Sequence, residues 1–180
     1  PKHGRASPIP CSWYGKGLAA ALKTARKPFL MRTGGRAIKV DDSTDATSPA
    51  RAISVVLVED DPPTRDFLAA SLDGDERLEL LSACGSLADA RAVLAHARPT
   101  VLITDLKLPD GHGTELIRET RRTHPDTEVM VISVLGDETT VMDAVRAGAS
   151  GYILKDARPV DLIAAVHDLV AGRSPISASM

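Results

Sequence analysis

The chain has 180 residues, 43% of them hydrophobic and 26% charged, with a formal net charge of -2. That is enough for one ordinary domain with a sizeable core and not comfortably two, and a charge this close to zero names no partner. Two cysteines, Cys11 and Cys84, make no disulfide framework and fit a reducing cytoplasm, and no apolar run nears the roughly 20 residues that cross a bilayer, so no membrane partner is expected.

The charge is unevenly spread. Residues 1–50 hold nine Lys and Arg against three acids, a net of +6; the remainder holds thirteen against twenty-one, a net of -8. Two regions under different constraints are expected. The first lacks sustained periodicity and is rich in Pro, Gly, Ser and Thr. It predicts a basic, flexible extension over 1–50 that ends in a linker over 41–49. A start at Pro1 rather than Met suggests a fragment or a processed chain.

From residue 51 strands and helices alternate. A β-branched run over 53–58 reads as a strand. A helix over 64–72 follows, with Pro62 and Pro63 at its start and Phe67, Leu68 and Leu72 inward. A mixed strand over 78–83 precedes a helix marked by Leu87, Ala90, Leu94 and Ala97. A strand over 101–104 leads to a helix over 113–122, with Leu116, Ile117 and Thr120 inward. A strand over 129–132 leads to a helix over 137–147, with Val141, Met142 and Val145 inward. The last pair is a strand over 152–154 and a helix over 160–171, with Leu162, Ile163, Val166, Leu169 and Val170 inward. Five such units predict an α/β fold with a five-stranded parallel, doubly wound sheet, because the strands are nearly continuous apolar runs that need cover on both faces.

In such a sheet, ligands bind outside the carboxyl ends of the strands. The first strand is followed by Glu59-Asp60-Asp61, the third by Asp105, the fourth by Ser133 and the fifth by Lys155. Carboxylates crowded together become tolerable around a divalent cation, and Mg²⁺ favours one or two of them plus phosphate oxygens. One carboxylate can act as a nucleophile and become an aspartyl phosphate, with metal and lysine neutralising the phosphoryl oxygens. Taken singly, Asp105 could be a turn residue, Ser133 or Asp137 a helix cap and Lys155 a solvated charge; together, in order, they point to phosphoryl transfer.

Val55-Val-Leu-Val-Glu-Asp-Asp61, Leu102-Ile-Thr-Asp-Leu-Lys-Leu-Pro-Asp-Gly111, Val131-Ile-Ser133 and Gly151-Tyr-Ile-Leu-Lys-Asp156 resemble the successive signatures of bacterial two-component response-regulator receiver domains. The resemblance covers about residues 52–173 and implies a flavodoxin-like (βα)5 fold. It implies Asp105 as phosphoacceptor, Glu59, Asp60 and Asp105 with the Lys107 backbone carbonyl as Mg²⁺ ligands, Ser133 and Tyr152 as the switch pair, and Lys155 as the family's lysine. Glu59 stands where Asp is also common, and Ser133 where Thr is more frequent.

A sensor histidine kinase is the implied partner, a cytoplasmic location is implied, and switching rather than enzymatic turnover is the implied activity. A homodimer through the face over 137–171 is a further expectation. The loop Leu108-Pro-Asp-Gly-His-Gly113 and the ending Ala171-Gly-Arg-Ser-Pro-Ile-Ser177 resemble NarL/LuxR-type regulators, which continue into a DNA-binding helix-turn-helix. Domain boundaries are therefore expected at 51–173 for the receiver and 174–180 for the start of a linker, with DNA contacted only through a domain beyond this chain. The alternatives are a stand-alone receiver and a phosphatase of the haloacid dehalogenase type. The latter wants a second acid two residues after the nucleophile, where this chain has Lys107. A flavin- or nucleotide-binding domain is disfavoured by the Glu-Asp-Asp-Pro-Pro loop, which repels phosphate without a metal.

Overall fold

The computed structural model describes residues 52–134 and 138–176. The readings of residues 1–50 as a flexible extension, of Cys11 as a reduced thiol and of Asp137 as a helix start lie outside the described residues.

Strand β1 (Ile53–Val58) is followed by α1 (Pro62–Asp73), β2 (Leu78–Cys84), α2 (Leu87–Leu94) and β3 (Val101–Thr104). A two-residue hairpin, Lys107–Leu108 with Gly111–His112, comes next. Then follow α3 (Gly113–Thr123), β4 (Glu128–Ser133), α4 (Glu138–Ala147), β5 (Gly151–Leu154) and α5 (Pro159–Val170). The five strands form one sheet in the order β2-β1-β3-β4-β5, every pairing parallel. The expected fold class is what forms.

The continuous apolar strands divide between two cores because alternate residues of a strand face opposite ways. Val56, Val58, Leu102 and Val131 pack with Leu87, Leu116, Ile117 and Val141 beneath α2, α3 and α4. Val55, Leu57, Ile103 and Ile132 pack with Leu68, Leu72, Leu162 and Val166 beneath α1 and α5. From β1 the chain steps outward to β2, then returns to β3 on the other side of β1. The strand order therefore reverses between β1 and β3, and a crevice opens above their carboxyl ends.

Helix boundaries follow their caps. The Asp61 side chain accepts the Thr64 N–H at 3.0 Å, with Pro62 and Pro63 in the first turn, so α1 starts two residues before the expected 64. The Ser86 hydroxyl accepts the Asp89 N–H and caps α2.

Four expected core residues face solvent. Phe67 is 53% exposed, because Leu68 and Leu72, one helical turn apart, set the buried stripe of α1 and Phe67 lies to one side of it. In α4 the buried stripe is Val141, Ala144 and Ala147, which leaves Met142 and Val145 outside at 42% and 41% exposure. Small alanines carry that contact, so a reading keyed to large side chains chose the wrong stripe. Val170 ends α5 at the surface, and Ile163 is half-buried.

The tail after α5 runs back along β5 in its described part. The Tyr152 N–H donates to the Pro175 carbonyl at 2.8 Å, and Tyr152 pairs with Ile176 in a parallel bridge on the outer edge of β5.

At the far end of the sheet, Asp75 ties the α1–β2 turn together. Its carboxylate accepts from Arg77 Nε at 3.1 Å, Nη2 at 2.9 Å and N at 2.8 Å, and lies 3.3 Å from His167 Nε2 on α5. The Arg77 side chain, then its backbone N–H and His167, hold the Asp75 carboxyl well below its ordinary value of 3.8. A carboxyl depressed in the folded state stabilises above its unfolded pKa and loses that contribution as pH falls through the folded value. Asp75→Asn should therefore lower the melting temperature at neutral pH, and the gap between parent and variant should close as pH falls below about 4, as read by thermal melts across pH. A gap independent of pH would contradict this account.

Candidate functional site

The crevice holds an ion cluster assembled from three strand ends. Glu59 follows β1 and is fully buried; Asp105 follows β3 and is 5% exposed; Lys155 follows β5. Lys155 Nζ donates to Asp105 Oδ2 at 2.8 Å and to Glu59 Oε1 at 2.8 Å. Each strand end is locked to its neighbours: the Glu59 N–H donates to Cys84 O, Asp105 N–H to Val58 O and Lys155 N–H to Ser133 O, each at 2.9 Å. Asp105 Oδ1 accepts the Leu106 N–H at 2.6 Å, and Glu59 Oε1 accepts the Asp61 N–H at 3.2 Å.

Asp60 is exposed beside this pair, and oxygens of Glu59, Asp60 and Asp105 all lie within 4.8 Å of one another. Three carboxylates facing one ammonium leave the cluster with excess negative charge. Burial pushes the Glu59 carboxyl up, and the Asp105 charge adds to this, against the opposing pull of Lys155 and the Asp61 N–H. Burial alone would pull Lys155 down, but hydrogen bonds and charges from Asp105 and Glu59 together hold it above its usual value, so it stays an ammonium.

Glu59 Oε2 bears on what the cluster accepts. It is buried and lies 2.7 Å from Lys155 Nζ, so the one ammonium faces both oxygens of this carboxylate and Asp105 as well. Three carboxylates with oxygens within 4.8 Å of one another and one ammonium among them form an oxygen donor set suited to a hard divalent cation. The residues present thus fit such an ion.

The other expected residues are near but play different geometric parts. Ser133 is buried at the end of β4, and its carbonyl holds the Lys155 backbone. Tyr152 is 1% exposed and packs into the core with Val131 and Val141, three residues before Lys155 and outside the ion cluster. The Lys107 side chain is exposed; its backbone pairs with His112 in the hairpin that leaves Asp105. That hairpin returns at Gly113, whose N–H donates to Leu106 O at 2.8 Å. A Cβ at Gly113 would lie 2.1 Å from the Asp105 carbonyl oxygen, so only glycine lets α3 start this close to Asp105.

Two contributors escape the sequence reading. Arg65 on α1 reaches back to donate through Nη1 to the carbonyls of Glu59 at 2.8 Å and Asp60 at 3.2 Å, fixing the acidic loop. Asp110, in the hairpin tip, accepts the N–H groups of Leu87 and Ala88 at 2.9 Å each. Arg65 carries no signal in spacing, and an Asp before Gly reads first as a turn residue.

Comparison with known proteins agrees with this geometry. Residues 55–167 match the family described as Response regulator receiver domain. The chain is 38% identical over 122 residues to the DNA-binding transcriptional activator DevR/DosR of Mycobacterium tuberculosis, an alignment covering 68% of this chain and 56% of that protein. It is 28% identical over 123 residues to the oxygen regulatory protein NreC of Staphylococcus epidermidis, covering 68% and 56%. The solved signal receiver domain of NarL from Mycobacterium tuberculosis superposes with a TM-score of 0.64 at 27% identity, over 68% of this chain and 99% of that one. The chain thus spans little more than half the length of the curated relatives it matches. Among the described residues no helix is long and apolar enough to cross a membrane. With a family match over more than half of the chain and the acid–lysine cluster at its strand ends, the chain belongs to the receiver-domain family of two-component response regulators, with relatives of the NarL/LuxR type.

Proposed function

We propose that Asp105 is the acceptor of a phosphoryl group from the phosphohistidine of a sensor histidine kinase, and that the reaction needs Mg²⁺. The observation that carries this reading is the bond from Lys155 Nζ to Asp105 Oδ2 beside Glu59, at the point where the strand order reverses. An Asp105 carboxylate oxygen forms a bond to phosphorus as the P–N bond to the donor imidazole breaks, and the imidazole keeps that electron pair. Glu59, Asp60 and Asp105, with the Lys107 backbone carbonyl, would hold the metal, which supplies charge neutralisation for the phosphoryl oxygens. Lys155 stays an ammonium and meets the remaining negative charge. Rigid placement of these groups is most of what phosphoryl transfer asks of a protein.

The product adds charge at the strand ends, next to Ser133. A hydroxyl there can donate to a phosphoryl oxygen, and Tyr152 lies on the neighbouring strand beneath the α4 side of the sheet. The pair would transmit the event to the surface of α4, β5 and α5, and through it to a second copy or to a further domain. The named activity of DevR/DosR, a DNA-binding transcriptional activator, supports transcriptional control by the whole protein; DNA contact through a further domain and a cytoplasmic location belong to the same proposal. The role is a switch rather than turnover of a small substrate.

Two measurements test the site. Asp105→Asn should abolish Mg²⁺-dependent labelling by acetyl phosphate, and undiminished labelling would remove Asp105 from the role. Lys155→Met should still bind Mg²⁺ while its labelling rate falls by about a hundredfold, the usual scale for loss of one preorganised electrostatic group. A parent-like rate would show that Lys155 only balances the resting carboxylates.

A further inference from the structure

The segment that leaves Asp105 is short and its tip is tied down from outside. After the hairpin pairings of Lys107 with His112 and Leu108 with Gly111, the exposed Asp110 turns its carboxylate onto the first turn of α2. Oδ1 accepts the Leu87 N–H and Oδ2 the Ala88 N–H, both at 2.9 Å. These amides lack partners within their own helix, so the contact joins two separate elements through two charge-assisted bonds at the positive end of a helix. The Leu87 N–H, together with that of Ala88, holds the Asp110 carboxyl below its usual value.

Packing at the tip is equally close. Gly111 has φ of +156°, and a Cβ there would lie 2.6 Å from Leu87 Cδ1. The hairpin therefore lies directly on the start of α2. Its two ends are held at Asp105, through the Leu106 N–H, and at Gly113. Asp110 is a polar tether at the free end.

We propose that Asp110 is a positioning residue for the Asp105 site, pinning the hairpin to α2 so that the Lys107 backbone is held where the metal is bound. This rests on the metal-assisted phosphoryl transfer proposed above. Without the tether, the ends at Leu106 and Gly113 still close the loop, but the Lys107–Leu108 arm can swing at its tip. The cost falls on metal affinity first, because an oxygen ligand on a mobile arm must be ordered when the ion binds.

A bland alternative is that Asp110 only caps α2. The two readings separate because Ser86 caps the same helix and touches nothing in the hairpin among its assigned bonds. Asp110→Ala, Asp110→Asn and Ser86→Ala in the full chain are compared by calorimetric Mg²⁺ titration, thermal melting and metal-free amide exchange. Asp110→Ala should raise the Mg²⁺ dissociation constant about tenfold, as loss of a supporting hydrogen bond around a metal site usually does, and should deprotect hairpin amides without metal. Asp110→Asn, which keeps one acceptor oxygen, should fall between it and the parent. Ser86→Ala should lower the melting temperature and leave Mg²⁺ affinity unchanged. Parent-like affinity in Asp110→Ala, or an equal loss in Ser86→Ala, overturns the positioning role. A parent chain that binds no Mg²⁺ overturns the metal reading and this inference with it, while the acetyl phosphate labelling of Asp105 reads the proposed function separately.

Discussion

The ammonium of Lys155, set between Glu59 and Asp105, is the interaction on which the rest of the site depends. Removing an ionised carboxylate from water costs several kcal/mol, and an opposite charge at hydrogen-bond distance offsets that only when the geometry is good. Here two buried carboxylates repel each other and share one cation. They can share it because β1 and β3 are adjacent and β5 lies two strands away across β4. A lysine stem is long enough to cross the end of β4, where the Ser133 carbonyl holds the Lys155 backbone in register. The doubly wound order is thus a requirement of the charge arrangement as well as a solution to packing.

Holding like charges together also demands rigid loops. Each strand end is fixed by a contact from a different direction: Arg65 from α1 onto the carbonyls of Glu59 and Asp60, Gly113 from α3 onto Leu106, and Asp110 from the hairpin onto α2. None of these contacts is to the Asp105 carboxylate itself. They keep the oxygens from relaxing apart, so the repulsion stored in the cluster is available to any cation that relieves it. Glu59, fully buried, depends on Lys155 for its charge partner. Sequences optimised for folding seldom bury carboxylates side by side, and where they do the place tends to be a site of function.

The parts of this arrangement legible in the sequence are those that repeat with the period of a strand or fall at its end. Apolar runs of three to six residues mark the strands, and the next polar residue marks the crevice, so Glu59, Asp105 and Lys155 fall together. Contacts that join elements far apart in sequence left no periodic trace. The bonds of Asp110 to Leu87 and Ala88 span more than twenty residues, and Arg65 acts through backbone carbonyls that any residue would present. Core assignment failed where small residues carry the packing. In α4 the alanines at 144 and 147 lie against the sheet, and the larger Met142 and Val145 do not. Volume in the sequence is a guide to the core only where the helix stands off far enough to need it.

The outer edge of β5 shows the same principle at the opposite end of the site. An edge strand presents unpaired amides and carbonyls, and such edges are usually covered. Here the tail after α5 does so, through Tyr152 N–H to Pro175 O and the bridge of Tyr152 with Ile176. Gly151 permits the approach, since a Cβ there would lie 3.2 Å from both the ring and the carbonyl of Pro175. The strand that carries Lys155 into the ion cluster is therefore bonded on one side to β4 and on the other to the tail. Any displacement of β5 must break or carry these bonds together. Residues 175–176 are thus bonded to the strand that carries Lys155, at Tyr152, three residues before it.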